Sequence, residues 1–295
     1  MSTFKKTFIL LLRLALASLT MIAVYILSTM VMGQTDINMT PAEAAQVGRA
    51  LIFVAVADAL VLSFPIIRSR WFGLKLIGAV FLVHFGAETF MAQIETFYFN
   101  SAVQMDSDVF VSIVASGALR ALIFAPLAVL IFGKMRKSVP EGDKWAAVLP
   151  SGWGKRFAAL AVFYVFVYFI FGYFVAWQWE ETRLYYTGTT AIKPFFTHFW
   201  DLFVIEDPSI IPFQLLRGAL WTSLALLIVL MMKARRWEVS LAVATIFAVL
   251  LSLPLGLFPN PYMPPEVARS HFIEISTSML LFGGVAGWVM YSTEE

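Results

Sequence analysis

Long apolar runs and short polar breaks alternate along the chain, and eight of the runs are long enough to cross a bilayer. A hydrocarbon core about 30 Å thick takes about 20 residues of helix. On that measure, spanning helices are expected at residues 7–32, 44–67, 72–99, 108–133, 156–179, 210–232, 237–257 and 267–291. The first run follows Lys5 and Lys6, as a signal peptide would. It is too long for a signal h-region and lacks a small-residue cleavage site, so it reads as a spanning helix. The expected fold is all-α: a polytopic membrane bundle of eight transmembrane helices, forming one domain over residues 1–295.

The polar breaks alternate in charge. Lys5 and Lys6, then Arg68, Arg70 and Lys75, then Lys134, Arg136, Lys137, Lys155 and Arg156, then Lys233, Arg235 and Arg236 fall at one side. The other side holds Asp36, Glu43, Asp106, Asp108, Glu180, Glu181, Asp201, Glu206 and Asp207. The positive-inside rule puts both termini in the cytoplasm of a plasma or bacterial inner membrane. Two loops are more than connectors. Residues 137–155 are turn-rich with two tryptophans, and residues 193–209, "KPFFTHFWDLFVIEDPS", are amphipathic and too charged to span. The latter is expected in the headgroup plane or over the outer mouth.

Composition agrees: 60% of the 295 residues are hydrophobic and 14% are charged, against about 25% charged in soluble domains. The lipid bilayer is therefore the expected partner. No cysteine is present, which removes thiolate chemistry and Cys-ligated metals. No basic block points to nucleic acid, and no feature identifies a protein partner.

"RALIF" occurs at 49–53 and again at 120–124, and "RALIFAPLAVLIFGKMR" aligns with "RGALWTSLALLIVLMMK" from Arg120 and Arg217. Upstream, "VFLVHFGAETFMAQIE" aligns with "VFVYFIFGYFVAWQWE". This suggests repeated helical hairpins, 1–2, 3–4, 5–6 and 7–8. Parallel repeats recur among transporters.

Ionisable residues inside the apolar runs carry the candidate chemistry. At 1.5 Å per residue from the nearest basic end, Asp58 lies ~15 Å up, His84 ~14 Å, Glu88 ~20 Å and Glu95 ~30 Å. Arg120 lies ~21 Å up, Arg217 ~24 Å, Glu274 ~25 Å and His271 ~30 Å. Each isolated charge at such depth costs at least ~2.5–3.5 kcal/mol, so pairing or water is expected. His84, Glu88 and Glu95 share one helical stripe by their spacing, and His271, Glu274 and Ser278 share another.

Three readings follow. In the first, Glu88, Glu95 and Glu274 are struts paired with Arg120, Arg217 and Arg269. In the second, Glu88, Arg120, Arg217 and Glu274, with Glu95 and with Asp58 as relay, line an outward-facing site that binds or transports a small polar or amphipathic solute. In the third, Glu88, His271 and Glu274, with Glu95 or His84, hold zinc or a di-iron pair in an intramembrane enzyme. Nearby arginines oppose that cation. Haem with two histidines is disfavoured, because His84 and His271 differ in depth by ~16 Å. His84 itself reads as a hydrogen-bonded packing residue. A non-catalytic subunit of a membrane complex is the remaining alternative. The second reading is the working expectation.

Overall fold

The computed structural model describes residues 3–32, 40–136, 147–260 and 262–293. Residues 33–39, with Asp36, and most of the 137–155 loop lie outside the described residues. Eight long apolar helices are α1 (Thr3–Val31), α2 (Pro41–Ile67), α3 (Gly73–Tyr98), α4 (Ser107–Ile131), α5 (Trp153–Gln178), α6 (Ile210–Met231), α7 (Arg236–Leu257) and α8 (Pro265–Met290). The fold is an all-α polytopic bundle. Every boundary falls within about one turn of the expected one, because hydrocarbon thickness sets helix length. With these eight apolar helices the chain is an integral membrane protein.

Local chemistry sets the helix ends. Thr40 caps α2: its backbone N–H donates to Glu43 Oε2 at 2.8 Å, and its side chain accepts from the Glu43 N–H. Pro41 and Pro265 occupy first-turn positions, where no backbone donor is needed. Pro65, Pro126 and Pro254 lie inside helices that continue beyond them.

Successive helices pair as hairpins, α1 with α2, α3 with α4, α5 with α6 and α7 with α8. Further contacts, α1–α4, α2–α7, α8–α5 and α6–α3, close a cycle through all eight. Small residues permit the tightest of these pairings. A methyl group on Gly283 would meet Ala244 Cα at 2.8 Å, and one on Gly287 would meet Ser240 Cα at 2.8 Å. Gly283 and Gly287 thus form a small-xxx-small seam between α8 and α7.

At the basic end, cations cap the C-terminal carbonyls of the helices that finish there. Arg13 Nη1 donates to Phe132 O at 3.3 Å, and Arg156 Nη1 to Val289 O at 2.8 Å. There the segments after α2 and α6 exchange two bonds: Arg70 N donates to Met231 O at 2.9 Å and Lys233 N to Arg68 O at 2.7 Å. Ser69 and Met232 sit opposite each other between those bonds.

At the acidic end, the segment expected to be amphipathic forms two short turns, Phe195–Asp201 and Leu202–Glu206. Phe195 packs on Tyr173 with ring centres 5.1 Å apart, and Phe199 and Phe203 pack on Phe169 at 5.2 and 4.8 Å. Phe196, Trp200 and Val204 form the opposite, exposed stripe.

Candidate functional site

The geometry of α3 decides where its three ionisable groups go. Gly86–Phe90 is a π-turn, and Glu88 lies within it. The π-turn adds one residue to the helix and rotates everything beyond it by about 100°. The expected single stripe of His84, Glu88 and Glu95 is therefore broken. His84 and Glu88 face α4, α1 and α2, whereas Glu95 faces α6.

The expected single constellation accordingly divides into two clusters. In the first, Arg120 Nη2 donates to Glu88 Oε1 at 2.8 Å and Arg120 Nη1 to Ser116 Oγ at 3.0 Å. The guanidinium also stacks 4.7 Å from the Tyr25 ring centre. Tyr25 Oη lies 2.6 Å from Asp58 Oδ2 and 2.7 Å from Glu88 Oε1. His84 Nε2 approaches Glu88 Oε2 to 2.8 Å. His84, expected as a hydrogen-bonded packing residue, is packed in the core with this short approach to Glu88 as its polar contact. Asp58 and His84 are fully buried and Glu88 is 7% exposed.

In the second cluster Arg217 grips Glu95 with both ends of its fork, Nη1 to Oε1 at 2.7 Å and Nη2 to Oε2 at 2.6 Å. Nη1 also donates to Gln214 Oε1 at 3.1 Å. Tyr164 and Tyr168 present their rings 5.7 Å from the guanidinium. His271 Nδ1 lies 3.5 Å from Glu274 Oε2, and His271 Nε2 lies 3.1 Å from the Tyr186 hydroxyl. A cavity of about 20 Å³ separates these groups, lined by Glu95, Tyr164, Tyr168, Arg217, Glu274 and Ser278 among others. That is room for about one water.

One pairing and one metal set differ from expectation. Arg269 is exposed and does not pair with Glu274, whose neighbour is His271. The metal set Glu88, His271 and Glu274 is not assembled, since Glu88 belongs to the first cluster and the other two to the second. Among the described residues, the one group close enough to share an ion is Asp58, His84 and Glu88, with donor atoms within 4.8 Å of one another. Sequence spacing gave no signal for Tyr25, Ser116, Gln214 or the tyrosines of α5. The heights of Asp58 and His84 along their helices, ~15 and ~14 Å, already placed those two level. No family model matches the chain, and neither a curated protein nor a solved structure matches it.

Proposed function

We propose that the protein binds a small polar or amphipathic solute in the outer half of the membrane and carries it across, using two four-helix units, α1–α4 and α5–α8. The observation that carries this reading is the cavity where Arg217, Glu95 and Glu274 meet between tyrosine walls. A solute carboxylate can compete with Glu95 for the Arg217 fork, Glu274 can take a cationic group, and Tyr164 and Tyr168 can cover an apolar portion. The positive-inside rule turns the acidic end, and so this cavity, outward. The exposed Phe196–Trp200–Val204 stripe suits the headgroup plane beside it.

Helix neighbours support the two-unit organisation. The pairs α1–α2, α1–α4 and α3–α4 recur as α5–α6, α5–α8 and α7–α8, and α2–α7 recurs as α6–α3. The reciprocal bonds at Ser69 and Met232 lie where an axis exchanging the units would pass. Setting Ser69 opposite Met232 and continuing without a gap matches buried Val54, Asp58, Leu62 and Ile66 to buried Arg217, Trp221, Ala225 and Val229. The same register matches Leu76, Val80 and Val83 to Val239, Val243 and Ile246. Ala121, Phe124 and Ala128 of α4 pair likewise with Met279, Phe282 and Ala286 of α8. Ala17, Met21 and Val24 of α1 pair with Leu160, Tyr164 and Val167 of α5. Arg13 and Arg156 then become counterparts, each donating to a carbonyl near the end of its unit's last helix.

The hairpin register expected from the sequence fits burial less well. It sets buried Val83, His84 and Ala87 opposite Tyr168, Phe169 and Gly172, which are only partly buried. Parallel units related by an axis along the membrane normal are a recurring transporter architecture.

Melting of the purified protein against a panel of zwitterionic, anionic and cationic small solutes tests this reading. At least one solute is expected to raise the melting temperature, since a ligand at one hundred times its Kd stabilises by about 2.7 kcal/mol. Arg217→Ala and Glu274→Gln are each expected to remove that shift. Indifference of the unmodified protein to every class of solute would overturn it.

A further inference from the structure

In the two-unit register Tyr25, Asp58, His84, Glu88 and Arg120 correspond to Tyr168, Trp221, Phe247, Leu251 and Ser278. The two units bury the three middle positions alike: Asp58 and Trp221 are both 0% exposed, as are His84 and Phe247, and Glu88 and Leu251 are 7% and 8% exposed. The ring neighbours correspond, with an edge-on geometry in one unit and a stacked one in the other. His84 meets Phe124 edge-on at 5.7 Å, and Phe247 lies 6.4 Å from Phe282, the counterpart of Phe124. Tryptophan, phenylalanine and leucine therefore fill in one unit the places that two carboxyl groups and an imidazole fill in the other. Packing does not need those groups, and well-packed apolar residues commonly replace buried ionic ones at no loss. Their presence at this depth calls for chemistry.

Counting hydrogens identifies that chemistry. A tyrosine hydroxyl has one hydrogen to donate, yet Tyr25 Oη sits 2.6 Å from one carboxyl oxygen and 2.7 Å from another. With both carboxyl groups ionised, one of these contacts would set a lone pair against a bare anion. Glu88 is the anion, because Arg120 donates to it at 2.8 Å. Asp58 has no such cation, and its Oδ1 has no hydrogen-bond partner. A proton on Asp58 Oδ2 donates to Tyr25 Oη, and the Tyr25 hydroxyl then donates to Glu88 Oε1. Glu88⁻ offsets Arg120⁺, and a protonated Asp58 adds no further anion beside them in hydrocarbon. Loss of the proton adds one negative charge to the cluster.

We propose that Asp58, Tyr25 and Glu88 hold a single exchangeable proton in the first four-helix unit, and that its release and rebinding couple to the solute cavity. The coupling rests on the transport reading, whereas the proton does not. A divalent cation on Asp58, His84 and Glu88 is the competing occupant. The Arg120 guanidinium repels it, and Tyr25 would then have one carboxylate contact it cannot satisfy.

Infrared spectroscopy of the purified protein at neutral pH tests the proton through the carbonyl stretch of a protonated carboxylic acid. The band is expected in the unmodified protein, is expected to shift in heavy water, and is expected to vanish in Asp58→Asn, which keeps the shape and offers an amide donor to Tyr25. Glu274→Gln, in the other cluster, should keep it. His84→Phe, the residue of the sister unit, is expected to fold and melt near the unmodified protein, which separates a site from a strut. Absence of the band, or its persistence in Asp58→Asn, would overturn the proposal. So would loss of the band on adding equimolar zinc with one zinc retained through gel filtration. In vesicles, Asp58→Asn is expected to keep solute binding and lose its response to a pH gradient. Solute binding that responds to the gradient as before would overturn the coupling alone, and failure of every solute to bind would leave the infrared result standing.

Discussion

Arg217 is 1% exposed and is held by both oxygens of Glu95. Removing one partner of such a pair strands a charge in low dielectric, at a cost of about 3–5 kcal/mol. Glu95→Leu is therefore expected to lower the denaturant midpoint sharply, and adding Arg217→Met is expected to restore most of it. A double variant as unstable as the single one would contradict this pairing. At this scale the sequence made the presence of partners legible and their identities less so. Arg120 with Glu88 followed from matched depth. Glu95 with Arg217 was expected as a strut and is found, but its separation from the Glu88 cluster was not, because the π-turn at Gly86–Phe90 rotates Glu95 away from Glu88. Tyr25 had no signal of its own: a tyrosine in an apolar run is ordinary, and only three-dimensional contact sets it between two carboxyl groups.

The element scale is governed by how closely helices approach. On α8, Gly283 and Gly287 face the α7 backbone directly. Gly287→Leu forces a side chain into that seam, and overpacking of this kind costs about 1–3 kcal/mol. On α5, a methyl group added at Gly172 would have nothing within 4 Å. Gly172→Ala is expected to be neutral or to stabilise by about 0.5–1 kcal/mol through lost chain freedom. Thermal unfolding in detergent distinguishes the two, and equal effects would contradict the packing described. The π-turn is the element that a single sequence gives no means to find. A regular α-helical period through residues 84–95 misses it, although the turn packs closely on α4. Thr89, for example, packs so closely on Gly117 that a methyl group there would collide with it.

Across the whole molecule, span number and boundaries were legible because bilayer thickness imposes them on any sequence. The two-unit register proposed above was not, because residues facing lipid or core are interchangeable among apolar types and leave little identity to align. The proposed register rests on burial and on reciprocal contacts such as the Ser69–Met232 pairing and the bonds of Arg13 and Arg156. On that proposed register the clusters differ: one fills positions matched to apolar residues, and the other borders a cavity.

The proposed function requires that water and solute reach this cavity from the acidic end of the bundle. The chain contains no cysteine, so Ser278→Cys on the cavity wall gives a single reporter. A charged, membrane-impermeant thiol reagent applied from outside the cell is expected to label it. A cysteine at the lipid-facing position Leu280 is expected to stay unmodified. Failure of the reagent to reach position 278 from either side of the membrane, while a cysteine at the exposed position Thr189 reacts, would contradict the account.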